Sequence, residues 1–283
     1  MSEAAGATTG ADELTLYNLP RDIYDVLMDF LDDESLDTML ALSPNITVSK
    51  YLLQQRQWRQ KPMKHWAGVG DLKAVQFLMK EDKKKNKKCP PEAMDWASLY
   101  GHLPMVQYLH SLGATCTDNA MNWACRQGHL AVVQFLHSIG APYSQNALEF
   151  AGTFGHLAVV EFLIGIGAAA IGDGLSMALI WACRNGHLPV VRYLHETVGE
   201  PWSAGEMDCA SHDNQLAVVE YLHKSLGATC THYAMDWASK NAHLTMLKYL
   251  HSIGATPSVY AMMWARELGH LEVVQFLRDI DEA

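Results

Sequence analysis

The chain has 283 residues, 21 basic against 31 acidic side chains, a net charge of −10 and an apolar share of 49%. That apolar share excludes wholesale disorder, and the acidic balance argues against a phosphate-binding surface, so nucleic acid is not an expected partner. There is no run of about 18 apolar residues, which excludes a helical membrane span.

Residues 1–13 are small and polar and are expected to be disordered. They lack a charged region followed by an apolar run, so no signal peptide is expected. From Ile23 the apolar residues fall at 23, 27, 30 and 31, a helical stripe, and Pro20 suits its first turn. Asp32, Asp33, Glu34 and Ser35 end that helix and offer caps for a second one carrying Leu36, Met39 and Leu40. Ser43-Pro44-Asn45 ends the second, and a third apolar segment runs from Ile46 to Trp58.

This stretch resembles an F-box through Leu19-Pro20, the acidic residue before Ile23, Phe30-Leu31, and Leu36 with Leu40. The resemblance implies a three-helix module over 14–60 that docks a Skp-type adaptor through Leu19, Pro20, Ile23, Leu27, Phe30 and Leu31. Such a module joins a cullin-based ubiquitin ligase. Ser43-Pro44-Asn45 stands where F-boxes carry a V-C-[KR]-x-W tail, and a tryptophan comes only at 58. The alternative is a helical cap over the exposed apolar end of a repeat array that begins near Lys61.

From Lys61 the chain repeats itself. The string A-M-N-W-A-C-R-Q-G-H-L at 120–130 has close copies at 93–103, 147–157, 178–188, 234–244 and 261–271. A degenerate copy fills 206–216, and a shortened one sits at 65–72. The landmark glycine or its equivalent falls at Gly70, Gly101, Gly128, Gly155, Gly186, Asn214, Ala242 and Gly269, with spacings of 31, 27, 27, 31, 28, 28 and 27. Eight two-helix units over 61–283 are expected. In the unit around 120–130, helix A spans about 119–127 and Gly128 ends it in the left-handed conformation. Helix B carries Leu130, Val132, Val133, Phe135 and Leu136 and stops at Gly140, and in two other units Pro104 or Pro189 opens it. The two long spacings hold Lys80–Lys88, with its lysine run, and Ala168–Gly174. Both insertions are expected as loops on one face. The lysine run reads as solvated, with nuclear import or an acidic partner as its alternatives.

The pattern G-H-L-x-V-V-x-[FY]-L-x-x-x-G-A resembles the second half of an ankyrin repeat over about 220 residues. The short-period, Trp-bearing style is similar to the ankyrin families of giant DNA viruses, amoebae and oomycetes. The resemblance implies an all-α helical solenoid that holds a target protein on its concave face. With a period of 27–28 rather than 33, the β-hairpin fingers should be shortened or absent.

Six histidines (His102, His129, His156, His187, His243 and His270) follow the landmark and read as turn struts for unpaired carbonyls, with Gln215 as a substitute. A second row, His110, His137, His195, His223 and His251, ends helix B, where a partly protonated imidazole suits the dipole. Successive rungs about 8–10 Å apart cannot share a metal ion, so no metal or cofactor is expected. Repeated Ser/His and Cys/His pairs are not the unique constellation that catalysis requires, so no catalytic residue and no enzyme are expected. The six cysteines show no CxxC pair and fit a reducing, intracellular setting: cytoplasmic, or nuclear through the lysine run.

Trp96, Trp123, Trp181, Trp237 and Trp264 share one slot of helix A, with Phe150 in the fourth unit. They read either as a packing ladder or as binding anchors, and their regularity favours packing. Variation lies at the two residues before the landmark: Leu99-Tyr100, Arg126-Gln127, Thr153-Phe154, Arg184-Asn185, His212-Asp213, Lys240-Asn241 and Glu267-Leu268. This irregular row is the expected partner-reading surface. The expected function is a monomeric, non-enzymatic substrate receptor for a ubiquitin ligase. A scaffold that sequesters its partner is the alternative.

Overall fold

Polar caps at one end and left-handed residues at the other cut the repeat into short helices. The computed structural model describes residues 54–84, 88–170 and 172–282, which form helices with no strand among them. The F-box-like residues Leu19, Pro20, Ile23, Leu27, Phe30 and Leu31 lie outside the described residues. The A helices are α1 (Met63–Val69), α3 (Pro91–Leu99), α5 (Asp118–Gln127), α7 (Asn146–Thr153), α9 (Gly174–Arg184), α11 (Ala204–His212), α13 (His232–Lys240) and α15 (Val259–Glu267). Each is followed by a B helix: α2 (Leu72–Lys84), α4 (Leu103–Ser111), α6 (Leu130–Ser138), α8 (Leu157–Gly165), α10 (Leu188–Tyr193), α12 (Leu216–Leu226), α14 (Leu244–Ser252) and α16 (Leu271–Asp281).

Thr117, Thr231 and Ser258 cap α5, α13 and α15, their hydroxyls accepting from the amides of Asn119, Tyr233 and Tyr260. Ser203 and Glu206 form a capping box on α11. At the other end the landmark residue is left-handed even where it is not glycine: φ is 60° at Asn214 and 59° at Ala242. The turn therefore dictates the conformation, and Ala242 bears a strain that glycine would not. Pro104 and Pro189 sit in the first turns of α4 and α10, where a missing N–H costs nothing.

Alanines buried at Ala93 and Ala97, Ala120 and Ala124, or Ala234 and Ala238 let the A helices approach closely. Valines and leucines such as Val132, Val133 and Leu136 fill the space between layers. The A layer packs unit on unit far more intimately than the B layer, which makes it the inner side of any curve.

The two insertions are absorbed differently. Lys80–Lys84 prolongs α2 instead of looping, because Lys and Glu favour helix, and residues 85–87 lie outside the described set. The second insertion is a 3-10 turn at Ala168–Ala170, with Ala168 buried, and Gly174 already belongs to α9. After α10 the chain widens into a π turn at Leu194–Val198, where Tyr221 donates to Glu196 at 3.0 Å. Before α1, residues 54–59 are helical and pack onto the first unit. Trp58 is 5% exposed and donates to Asp71, while its carbonyl accepts the Trp66 indole N–H at 2.9 Å.

Candidate protein-binding face

The struts that hold this face run between units. His102, His129, His156, His187, His243 and His270 point Nε2 at the carbonyls of Gly68, Leu99, Arg126, Thr153, His212 and Lys240, at 2.9–3.2 Å. A carbonyl can only accept, so each Nε2 carries the proton. Every accepting carbonyl lies two residues before the preceding unit's landmark, where the helix end leaves it without an amide. A methyl group on Gly128 would lie 2.5 Å from the His156 ring, so glycine also makes room for the strut. Burial lowers the His129 pKa, its bond to the Leu99 carbonyl opposes this, and His102 and His156 add to the lowering. The second histidine row also bridges units. His110, His137, His223 and His251 meet Phe135, Phe162, Tyr249 and Phe276 edge-on, with centroids 5.7–6.5 Å apart.

A further set of clamps has no motif to announce it. In A-M-D-W-A the acidic residue points inward. Asp95, Asp208 and Asp236 accept from both the amide and the hydroxyl of the next unit's cap, Thr117, Thr231 and Ser258. Asn122 stands at the equivalent place with the direction reversed, its Nδ2 donating to the Ser144 hydroxyl oxygen at 3.0 Å. Burial raises the Asp95 and Asp208 pKa values against the threonine hydrogen bonds, which lower them. Lys64, Glu149 and Ile180 replace Asp or Asn in the other three units that precede another, and both 31-residue spacings follow two of these. The constant separation, 22 or 23 residues from acid to cap, is the signal that the sequence carries.

Between these struts lies the aromatic slot. Trp96, Trp123, Trp181, Trp237 and Trp264 are half-buried, and none belongs to the buried core cluster. The slot faces along the A layer, where no strand among the described residues covers it. Trp96 and Trp123 meet edge-on at 6.4 Å. Elsewhere other groups cover the rings: Tyr233 stacks on Trp237 and Tyr260 on Trp264, at 5.3 and 5.6 Å. The Arg184 guanidinium lies over Trp181 at 5.1 Å and Lys240 over Trp264 at 5.3 Å.

The variable row borders the same slot. Tyr100, Arg126, Gln127, Phe154, Asn185 and Lys240 are exposed, while Leu99, Thr153, Arg184 and Asn241 are half-buried. Within the row one pairing recurs. Arg126-Gln127, Arg184-Asn185 and Lys240-Asn241 pair a cation with an amide in every second unit. The amides brace: Asn185 donates to the Thr153 carbonyl and Asn241 to that of His212, the same carbonyls that the histidine struts use. The cations lean on rings, Arg126 over Phe154 at 5.0 Å. Arg184 also binds Asp213 at 2.5 Å, and His212 binds the other carboxylate oxygen at 2.6 Å. Burial works to raise the Asp213 pKa, but these two partners outweigh it and hold the carboxyl below its ordinary range.

The chemistry here is adhesive. Burial pushes the Cys89, Cys116 and Cys230 thiols up to about 11 and Cys125 to about 12, far from nucleophilic. Among the described residues no group of three or more His, Cys, Asp or Glu could hold a metal ion, and no helix is long and apolar enough to cross a membrane.

Comparison with known proteins agrees with this architecture. Residues 94–173 match the family model for ankyrin repeats, in three copies. No curated protein matches the chain. Among solved structures, the crystal structure of the human ASB11 ankyrin repeat domain covers 70% of this chain and 100% of its own, with a TM-score of 0.55 and 19% identity. At that identity the likeness is one of fold. The chain therefore contains ankyrin repeats at 94–173 and shares the fold of an ankyrin-repeat domain over 70% of its length.

Proposed function

We propose that the chain is a non-enzymatic adaptor of eight ankyrin-type units that holds a target protein on its A-layer face. The row of half-buried indoles, rimmed by exposed Tyr100, Phe154, Arg126 and Lys240, carries this reading. Aromatic and cationic groups outside the core, on a braced scaffold, are what protein interfaces concentrate. The F-box-like stretch at 14–60 then joins the target to a cullin-type ubiquitin ligase, with Leu19, Pro20, Ile23, Leu27, Phe30 and Leu31 docking a Skp-type adaptor. The contribution to ubiquitin transfer is proximity, a raised effective concentration of target lysines. This part rests on sequence resemblance alone. The six free thiols accord with an intracellular protein, cytoplasmic or reaching the nucleus through the lysine run at 80–88, and the chain acts as a monomer.

A second reading, a scaffold that sequesters its partner with residues 14–58 as a helical cap, draws support from Trp58, which is buried against the first unit. A pull-down with a purified Skp-type adaptor separates the two. Wild type should retain the adaptor and a Leu19→Asp, Pro20→Ala variant should not. A well-folded wild type that retains none ends the ligase reading and leaves the scaffold.

A further inference from the structure

Arg184 shows how this face seats a carboxylate. Its guanidinium is backed by the Trp181 ring, and its Nε donates to Asp213. Arg126 and Lys240 have the same aromatic backing, from Phe154 and Trp264, but neither meets a carboxylate among the described residues. Both are exposed, and they stand two units to either side of Arg184. Packed helices lie about 8–10 Å apart, so four units separate the two cations by roughly 32–40 Å. An extended chain covers that span in about ten to twelve residues. Between them lie exposed Phe154, the half-buried Trp181 and Trp237 rings and the Arg184–Asp213 ion pair.

Resting on the A-layer reading, we propose that the partner presents an extended segment with two acidic residues about ten to twelve positions apart. One carboxylate seats on Arg126, the other on Lys240, and the intervening stretch is apolar and free of acid. Arg184, already paired with Asp213, leaves no free cation at the centre for a third carboxylate, which sets the register. The excess of acid over the whole chain makes these paired cations selective and not part of a general attraction for anions.

Fluorescence anisotropy with a labelled synthetic peptide of roughly 16 residues, Glu near each end about eleven residues apart and Leu and Tyr between, tests this on the full chain. Saturable binding is expected, weakened about fivefold by Arg126→Gln with Lys240→Gln, since exposed ion pairs are individually modest. The Arg126→Glu, Lys240→Glu variant should prefer the peptide with Lys at both ends. Halving the Glu spacing should also weaken binding. Equal affinity for a peptide with Gln in place of Glu overturns the proposal, as does no binding of the Glu peptide by folded wild type. If photo-crosslinkers on the A face still capture a cellular protein in either case, the A-layer reading stands and only the acidic chemistry falls.

Discussion

Replacing Asp236 by alanine should loosen the last helix pair and little else. Asp236 is fully buried and accepts from the Ser258 amide at 2.9 Å and from its hydroxyl at 2.5 Å. That hydroxyl in turn accepts from the Tyr260 amide and caps α15, so the carboxylate orients the cap of the next unit. Two hydrogen bonds to a charged acceptor are worth about 1.5–3 kcal/mol each, and release of a buried carboxylate to water returns part of that. A net loss of about 2–4 kcal/mol is expected. Asp236→Asn should cost about half as much, because the amide keeps one acceptor oxygen for the Ser258 N–H and loses the one that takes its hydroxyl. In a repeat array each unit depends on its neighbours, so the loss should appear at the α13–α15 junction. Hydrogen exchange read helix by helix, with urea unfolding for the total, measures this. Amides of α15 and α16 should exchange faster while those of α5 do not change. A stability loss below about 0.5 kcal/mol, or equal acceleration in α5 and α15, would refute the clamp.

The same backbone and side-chain contacts set three more expectations. Ala242→Gly should raise stability by about 0.5–1 kcal/mol in thermal unfolding, by removing left-handed strain at the cost of chain entropy. Gly152→Ala should lower it by about 1–3 kcal/mol, because a methyl there would lie 2.7 Å from the Ala178 carbonyl oxygen, where α7 and α9 meet. Acid should weaken the His129 strut. His129 has a folded pKa below its unfolded value, so the unfolded chain binds the extra proton and stability falls as pH drops through about 6.5. Urea midpoints at pH 5.5 and 7.5 should differ less for His129→Gln, which keeps an N–H donor but cannot titrate.

The architecture is legible in the sequence because each landmark, alanine and valine recurs in register, and one unit's pattern fixes them all. What stays hidden involves partners in the neighbouring unit. An aspartate on a short helix ordinarily faces water, so nothing at Asp95 alone announces the buried cap of Thr117. Only the constant spacing to a Thr or Ser does so. The tryptophans carry two readings for a related reason. Regularity signals packing, yet a slot can recur because every unit contributes to one lining. The alternation of cations and amides is present in the row throughout, but its sense depends on which ring lies under which cation.

The central claim, that the A layer is where a protein binds, is tested most directly by site-specific photo-crosslinking in cells. Benzoylphenylalanine in place of Tyr100 or Phe154 on the A face should yield discrete adducts with another protein. The same probe at Gln134 or Glu161, exposed on the B helices, should yield none above background. Adducts confined to the B-face positions, or equal at all four, would contradict the account.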